Sequence, residues 1–284
     1  MVEKEHLNVI KEPMDEINWA EQWKKELMDL PSDNKKKDWN KIAKKFKKWT
    51  EKDDYPQRVL NKIETEKDYS VLDVGCGNGI ITIPLAKKVS NVTCVDISSE
   101  MLDILKENAQ KEGIENLTFL KEDLAEISLE SVGKHDVIVA SRCLNGVHEI
   151  GNVLKEFNKI GKYVYLTVWG PNSRKFEDEA CKLLKKENPN FPSYIYIYNM
   201  LYQMGIAANV EKLEFASNSS YSDIDEALDN YKWKMGDLNP EEEEILKDHL
   251  KTILVTREDG RLENPHEQKE WILIWWKSDE ESAA

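Results

Sequence analysis

The sequence has few of the features that mark a disulfide-rich, zinc-binding or membrane protein. Only 4 of its 284 residues are cysteine, and they lie far apart without any CxxC pair. This spacing argues against a disulfide framework and a zinc site, so we predict no metal ligand set and a reducing, cytoplasmic environment. The amino-terminal segment is too charged for a signal peptide. No apolar run approaches the roughly 18 residues that a membrane span requires.

The sequence also has fewer positively charged residues than negatively charged ones. The chain has 40 Lys and Arg residues against 54 Asp and Glu residues, which gives a formal net charge of -14. A surface with this charge repels a phosphate backbone on average, so a nucleic-acid partner is disfavoured. The exception is segment 35–48, which has eight lysines opposed only by Asp38 and an apolar stripe at helical spacing. We interpret it as a helix with solvated lysines; a lid over an active site and an anion-binding surface are the alternatives.

The pattern between residues 70 and 170 predicts the fold. Short runs rich in Val, Ile and Leu alternate with amphipathic segments, which is typical of buried parallel strands joined by helices. Strands are predicted at SVLDV, NVTCVDI, NLTFL, HDVIVAS and KYVYLTVW, with helices near 79–88, 99–112 and 148–160. This alternation predicts a doubly wound α/β sheet. After Trp169 the sequence predicts two helices, a strand, two acidic helices and a last strand, EWILIWWK.

These patterns divide the chain into a helical amino-terminal extension or lid (1–65), an α/β domain (66–278) and a short tail (279–284). Two stretches of the α/β domain, about 171–205 and 222–268, are expected to be insertions on the substrate side. Within the first, Tyr194, Tyr196 and Tyr198 are spaced by two. This spacing predicts that they share one face of a strand, where they pack.

The segment VLDVGCGNGI, residues 71–80, contains the strongest functional signal. Asp73 lies inside an apolar strand, and Gly75, Gly77 and Gly79 follow in a turn that leads into a helix. Glycine tolerates positive φ and lets the backbone approach a ligand closely. In an open α/β sheet, ligands bind outside the carboxyl ends of the strands. Alone, the pattern also fits a sharp strand-to-helix turn without a ligand.

Two acidic residues at the ends of later strands strengthen this signal. Asp96 closes the second strand, 21 residues after Gly75, where a carboxylate can accept both ribose hydroxyls of an adenosine. Asp123 follows the third strand, where a carboxylate can accept a hydrogen bond from an adenine amine. The three features together predict an adenosine site. Asp73, next to the glycine turn, disfavours a pyrophosphate and suits a ligand with a cationic amine and a sulfonium.

The pattern apolar-Leu-Asp-apolar-Gly-x-Gly-x-Gly resembles the first motif of class I S-adenosylmethionine-dependent methyltransferases. VDIS and KEDLAE resemble their ribose- and adenine-binding segments. The resemblance covers about residues 65–170 and implies a Rossmann-like sheet of seven mostly parallel strands, the last one antiparallel between the fifth and sixth. It implies S-adenosyl-L-methionine as cofactor. The residues that it implies are Asp73, Gly75 and Gly77 for the methionine part, Asp96 and Ile97 for the ribose, and Asp123 and Leu124 for the adenine. Met101 either packs on the adenine face or belongs to the core.

The cofactor motifs identify no catalytic residue, because methyl transfer depends mainly on aligning the acceptor with the methyl group. Two weak candidates follow the fourth strand in SRCLNGVHEI. Arg142 could pair with a carboxylate of the substrate or of the methionine part, and His148 is either a base or the start of the next helix. Cys143 between them is expected to be packed rather than reactive. The weak candidates for the substrate side are Trp49, Tyr55, Arg142 and Trp169.

These features predict an S-adenosylmethionine-dependent methyltransferase that acts on a small molecule or a protein side chain. The alternative within the enzymes is a tRNA or rRNA methyltransferase that uses the lysine-rich segment. A non-catalytic adenosylmethionine-binding protein is a second alternative. A nicotinamide-dependent oxidoreductase is a third, which the position of Asp73 disfavours.

Overall fold

The computed structural model describes residues 16–30, 38–50, 54–187, 191–215, 219–267 and 270–278, with the backbone alone for residues 48–50 and 175–176. Its centre is a sheet of seven strands, β1 to β6 and β10, and a separate small sheet contains β7 to β9. The strands are β1 (Ser70–Val74), β2 (Asn91–Asp96), β3 (Leu117–Lys121), β4 (His135–Ser141), β5 (Gly161–Trp169), β6 (Asn209–Leu213), β7 (Ser220–Tyr221), β8 (Val255–Thr256), β9 (Leu262–Glu263) and β10 (Trp271–Lys277).

The order of strands in the central sheet is β3-β2-β1-β4-β5-β10-β6. The pairs from β3 to β5 are parallel, and β10 is antiparallel to both β5 and β6. The chain therefore moves outward from β1 to β3 and returns to β4 on the other side of β1, which makes the β1–β4 boundary a switch point for ligands. The five predicted strands, the last strand and its antiparallel place between the fifth and sixth are confirmed.

Helices cover both faces of the central sheet, and three of them confirm the helices predicted near 79–88, 99–112 and 148–160. The helices are α1 (Trp19–Met28), α2 (Trp39–Thr50), α3 (Tyr55–Leu60), α4 (Thr82–Ala86), α5 (Ser99–Lys111), α6 (Leu129–Val132), α7 (Ile150–Ile160), α8 (Lys175–Leu183), α9 (Tyr194–Gln203), α10 (Ile224–Met235) and α11 (Pro240–Ile253). Within the described residues, no helix is both long and apolar enough to cross a membrane.

The two faces of the sheet have separate cores. Successive strand residues point to opposite faces, so Val71 packs with α3, α4 and α5, whereas Leu72 and Val74 pack with α1, α7 and α9. Burial on both faces explains why the strands read as continuous apolar runs. The amino-terminal extension contributes to both cores. Trp23 of α1 is fully buried and donates its indole N–H to the carbonyl of Val147 at 2.7 Å.

The helices α8, α10 and α11 and the small sheet form a cap with its own core. Its buried members include Ala180, Tyr221, Ala227, Tyr231 and Leu246. The cap thus combines α8, from the first predicted insertion, with most of the second. Helix α9, from the first insertion, packs instead on the central domain.

The prediction that Tyr194, Tyr196 and Tyr198 share one face of a strand is wrong, because these residues form the first turns of α9. The decisive pattern lies just beyond them. Ile197, Met200 and Leu201 are buried at helical spacing, and their burial outweighs the alternation of the tyrosines. Tyr196 packs edge-on against Trp19, with ring centroids 5.7 Å apart.

Candidate functional site

The glycine turn begins directly after β1. Gly75, Gly77 and Gly79 have φ angles of +65°, +53° and +87°, a conformation that residues with a side chain rarely adopt. The amide of Gly75 donates to the carbonyl of Val95 in β2 at 2.8 Å. The turn is therefore fastened to the end of the neighbouring strand.

The three glycines have different surroundings. A Cβ at Gly75 would lie 2.4 Å from the Cβ of Cys143, and one at Gly79 would lie 2.1 Å from Cδ1 of Leu105. A Cβ at Gly77 would meet no heavy atom within 4 Å. Two of the glycines are thus required by close packing, and the third leaves open space beside the backbone, where a ligand can approach.

Asp96 joins the glycine turn to the end of β2. Its Oδ2 accepts from the amide of Gly77 at 2.9 Å, and its Oδ1 accepts from the amide of Ser98 at 2.9 Å. Burial raises the pKa of Asp96, although the two amide bonds oppose this shift. The amide of Glu122 donates to the carbonyl of Asp96 at 3.2 Å, which brings the end of β3 to the same place.

Asp123 and Ile97 lie beside this junction. Asp123 is exposed, and its Oδ1 accepts from the amide of Ala125 at 3.0 Å. Ile97 is 46% exposed, which is unusual for a large apolar side chain between two buried elements, and Leu124 is half-buried. The structure therefore brings together the three segments that the sequence singled out.

Asp73 is almost completely buried beneath the turn. The hydroxyl of Thr82 donates to its Oδ2 at 2.5 Å. Burial raises the pKa of Asp73 to about 7; the charge of Asp96 adds to this shift and the bond from Thr82 opposes it. Near neutral pH this carboxyl group can therefore either hold or release a proton.

Between about pH 4 and 7, we expect ionisation of Asp73 to lower the free energy of unfolding of the unsubstituted protein as pH rises. We expect Asp73→Asn to remove this loss. The folded protein keeps the Asp73 proton up to a pKa of about 7, whereas the unfolded chain loses it near 3.8. In this window the folded state binds the extra proton, so ionisation of Asp73 lowers the free energy of unfolding as pH rises, by up to roughly 1.4 kcal/mol per pH unit. The stabilisation from the buried, protonated Asp73 is fully present below the pKa of the unfolded state. It is lost as pH rises through the pKa of the folded state. Asparagine keeps the shape and an acceptor for Thr82 but cannot titrate.

The measurement is urea unfolding across this pH range for the unsubstituted protein, Asp73→Asn and, as a control, Asp103→Asn. Asp103 is exposed on α5. Only Asp73→Asn should change the slope. Parallel curves for all three proteins would show that Asp73 ionises alike in the folded and unfolded states.

A second group of side chains lies at the ends of β4 and β5. The hydroxyl of Tyr55, from α3, is 2.6 Å from Oγ of Ser141 and also hydrogen-bonds Oγ1 of Thr167. The guanidinium of Arg142 lies over the Tyr55 ring, 3.9 Å from its centroid, and 5.8 Å from the ring centroid of Trp271. Burial raises the pKa of Tyr55 to about 12. Its phenol therefore stays protonated and is not a base at neutral pH.

Trp169, at the end of β5, extends this group. Its ring centroid is 6.4 Å from that of Trp271 and 4.9 Å from that of Phe191. Its amide donates to Oδ1 of the buried Asn145 at 3.2 Å. The structure thus brings Tyr55, Arg142 and Trp169 to the same edge of the sheet.

Cys143 connects the two groups. Its thiol donates to the carbonyl of Val74 at 3.2 Å, and its Cβ lies against Gly75, where it leaves no room for a side chain. Burial raises the pKa of Cys143 above its ordinary value, which favours the protonated thiol; that Cys143 is packed rather than reactive stays a prediction. Because Arg142 is its neighbour in the chain, the acceptor candidates and the glycine turn are adjacent.

Other sequence candidates lie elsewhere. His148 is exposed and lines a cleft of about 410 Å³ between α1, α7 and α9, together with Lys24 and Glu149. The structure does not bring it to the groups above, and α7 begins two residues later. Met101 is 2% exposed. The side chain of Trp49 lies outside the described residues.

Sequence reasoning missed Trp271 and Phe215. The ring of Phe215 stacks on Tyr55 with centroids 6.1 Å apart. Trp271 opens β10, and the antiparallel direction of that strand places its first residue at the carboxyl edge of its neighbours. The predicted antiparallel last strand was the signal that could have identified Trp271.

A family model described as a methyltransferase domain matches residues 65–204, which include the glycine turn, both acidic strand ends and the Arg142 loop. The sheet order and the antiparallel β10 agree with the predicted fold of that family. This chain belongs to the class I S-adenosylmethionine-dependent methyltransferases. It is an enzyme whose methyl donor is S-adenosylmethionine.

Three known proteins are similar to this methyltransferase to different extents. An uncharacterized protein of Haemophilus influenzae is 34% identical over 231 residues, 79% of this chain and 82% of that protein. The ubiquinone biosynthesis O-methyltransferase of Colwellia psychrerythraea is 33% identical over 95 residues, 34% of this chain and only 38% of that enzyme. A solved structure from Bacillus halodurans, assigned to the methyltransferases, covers 78% of this chain and 98% of its own, with a TM-score of 0.56 and 15% identity. At this identity it supports the fold alone.

The geometry fits the cofactor of this methyltransferase. Gly77 is half-buried, and the space beside its backbone is open. Ile97 offers uncovered apolar surface next to it. The Asp96 carboxylate lies between them at the carboxyl end of β2. An adenosine with an amino-acid part requires a close backbone, an apolar surface and an acceptor for hydroxyls, and these residues supply all three.

Proposed function

We propose that Asp96 accepts hydrogen bonds from the ribose hydroxyls of S-adenosylmethionine. Ile97 lies next to Asp96 and is proposed to cover the ribose side of the site. Asp123 and Leu124 would bind the adenine, because the exposed carboxylate of Asp123 lies at the end of β3, adjacent to Asp96. Met101 is buried at the start of α5, where it would support the adenine side from the core.

Gly75, Gly77 and Asp73 are proposed to hold the methionine part. The open side of Gly77 admits the ligand, and Gly75 keeps the turn close to Cys143. A cationic amine near Asp73 would stabilise the ionised carboxylate, because an opposite charge lowers the pKa of an acid. When bound, S-adenosylmethionine supplies a methyl group on a cationic sulfur.

We propose that the methyl acceptor is a small molecule held at the ends of β4 and β5 by Tyr55, Arg142 and Trp169. The observation that carries this proposal is the position of α2 between the cofactor half and the cap. Asn40 of α2 accepts from the hydroxyl of Ser98 at 2.6 Å. The preceding residue of α2, Trp39, packs its ring edge-on against that of Trp233 in the cap, with centroids 5.3 Å apart. A helix that contacts both Ser98 and the cap would cover the site, which suits a small acceptor.

The contacts of the lysine-rich helix also disfavour RNA as the acceptor. Lys45 forms an ion pair with Asp229 at 2.6 Å, and Lys47 donates to Oδ1 of Asn108 at 3.1 Å. These two lysines are engaged within the chain, and the net charge of -14 repels phosphates. The part of the lysine segment before residue 38 lies outside the described residues. A protein side chain is the second candidate acceptor.

One further observation agrees with a small-molecule acceptor. The partial similarity to enzymes named for ubiquinone biosynthesis involves small-molecule chemistry, although it spans about a third of this chain. We also propose that the protein is cytoplasmic, because its four cysteines lie far apart in the sequence without a CxxC pair.

The test is methyl transfer from labelled S-adenosylmethionine to three fractions of a cell extract: small molecules, proteins and RNA. Label should enter the small-molecule fraction and should be lost with Asp96→Ala. Label confined to RNA would overturn the proposal, and label in protein would favour the second candidate. Calorimetry should show that S-adenosylhomocysteine binds more tightly than NAD.

A further inference from the structure

Arg142 has a backbone conformation that is costly for its residue type. Its φ is +58°, in the left-handed region that costs residues with a side chain roughly 1–2 kcal/mol. The amide of Arg142 donates to Oγ1 of Thr167 at 3.0 Å, which helps to hold this conformation. Strained residues of this kind are frequent at ligand sites. A glycine would avoid the strain, so a role of the arginine side chain is the physical reason to keep it.

The side chain of Arg142 points away from the glycine turn. Its guanidinium lies over Tyr55 and near Trp271. Trp271 belongs to β10, two strands beyond β4 on the side opposite β1. The cofactor residues Asp73 and Asp96 lie on β1 and β2. The guanidinium therefore lies on the side of β4, β5 and β10, where the acceptor is proposed to bind. The backbone of its loop adjoins the ends of β1 and β2, where the cofactor is proposed to bind.

Tyr55 fixes this arrangement from below. It is 1% exposed, and its hydroxyl lies between Ser141 and Thr167, which are paired in register at the ends of β4 and β5. Its ring cannot move without breaking both bonds. A cation over an aromatic face is attracted by the ring quadrupole, so the Tyr55 ring stabilises the guanidinium at this position.

We infer that Arg142 binds an anionic group, such as a carboxylate, on the methyl acceptor and that Tyr55 is the positioning residue for this contact. The inference rests on the proposed function and deepens it by naming the substrate class. Guanidinium groups bind carboxylates through parallel hydrogen bonds in one plane. The aromatic surroundings lower the local dielectric constant and strengthen such a pair. The same chemistry exists on the methionine carboxylate of the cofactor, and the experiment separates the two sources.

The experiment uses the full chain loaded with S-adenosylhomocysteine and two probes of nearly equal shape, 4-fluorobenzoate and 4-fluorobenzamide, followed by fluorine NMR. We expect the unsubstituted protein to bind the benzoate at least roughly tenfold more tightly than the benzamide, as expected for a charge-assisted bond. Arg142→Met should abolish this preference. Arg142→Gly should do the same, and because glycine suits a φ of +58° this variant keeps the test valid if Arg142→Met does not fold. Arg58→Met, at a half-buried residue of α3 whose guanidinium pairs with Asp54 at 3.3 Å, is the control and should keep the preference.

Tyr55→Phe keeps the ring and removes the hydroxyl. We expect the preference for benzoate to fall about threefold while the affinity for S-adenosylhomocysteine stays unchanged, a split that loss of general stability would not produce. An unchanged preference would remove Tyr55 from the positioning role.

The cofactor as the source of the anion is tested with 5′-methylthioadenosine, which lacks the amino-acid part. If Arg142→Gly lowers the affinity for S-adenosylhomocysteine but not for 5′-methylthioadenosine, Arg142 holds the cofactor carboxylate and the inference is overturned. Equal binding of benzoate and benzamide by the unsubstituted protein also overturns it. With either result the unsubstituted protein still binds S-adenosylhomocysteine, whereas failure of the proposed function would appear as no binding of S-adenosylhomocysteine by the unsubstituted protein.

Discussion

Replacing Asp96 with alanine should weaken the binding of S-adenosylhomocysteine by roughly tenfold to a hundredfold. Hydrogen bonds to a charged acceptor contribute about 1.5–3 kcal/mol, and the proposed site uses this carboxylate for the ribose. The substitution has a second effect that adds to the first. The amides of Gly77 and Ser98 lose their acceptor, so the glycine turn is no longer held against the end of β2.

Calorimetry on the folded variant measures this effect. Binding of 5′-methylthioadenosine should weaken to the same extent, because both ligands contain the ribose. Asp103→Ala removes an exposed carboxylate from the same region, where it pairs with Lys106, and should leave both affinities unchanged. A folded Asp96→Ala protein with an unaltered dissociation constant would exclude Asp96 from the cofactor site.

Gly75→Ala should lower the free energy of unfolding by about 2–5 kcal/mol and abolish cofactor binding. Two costs add. The left-handed φ of +65° costs an alanine about 1–2 kcal/mol. The new Cβ would also lie 2.4 Å from the Cβ of Cys143, and overpacking of this kind costs about 1–3 kcal/mol. The turn must shift to relieve this contact, and the shift moves the backbone that faces the ligand.

Gly77→Ala is the matched control. Its φ is also positive, but its Cβ would meet nothing within 4 Å, so only the conformational cost of about 1–2 kcal/mol applies. Urea unfolding of both variants compares the two costs. The double variant Gly75→Ala with Cys143→Gly should recover part of the loss, since it removes the opposing atom. Equal destabilisation by Gly75→Ala and Gly77→Ala would show that Cys143 does not limit the turn.

Helix α2 shows which features the local sequence predicts and which depend on the tertiary structure. The apolar stripe of segment 39–50 correctly predicted α2, because helical periodicity is a local property. Its partners could not be predicted in the same way. Ser98 and Trp233 lie far from α2 in the sequence, one at the start of α5 and the other in the cap.

The segments proposed to bind the cofactor of this methyltransferase could be identified from the sequence alone. Asp73, Asp96 and Asp123 each lie in or directly after a strand, and parallel strands place their carboxyl ends at one edge of a sheet. The group proposed to hold the methyl acceptor became visible only in the tertiary structure. Tyr55, Arg142 and Trp271 come from an amino-terminal helix, a loop and the last strand, and no local pattern specifies that they meet. Strand periodicity determines which face a side chain occupies, whereas the packing of distant elements determines what that side chain touches.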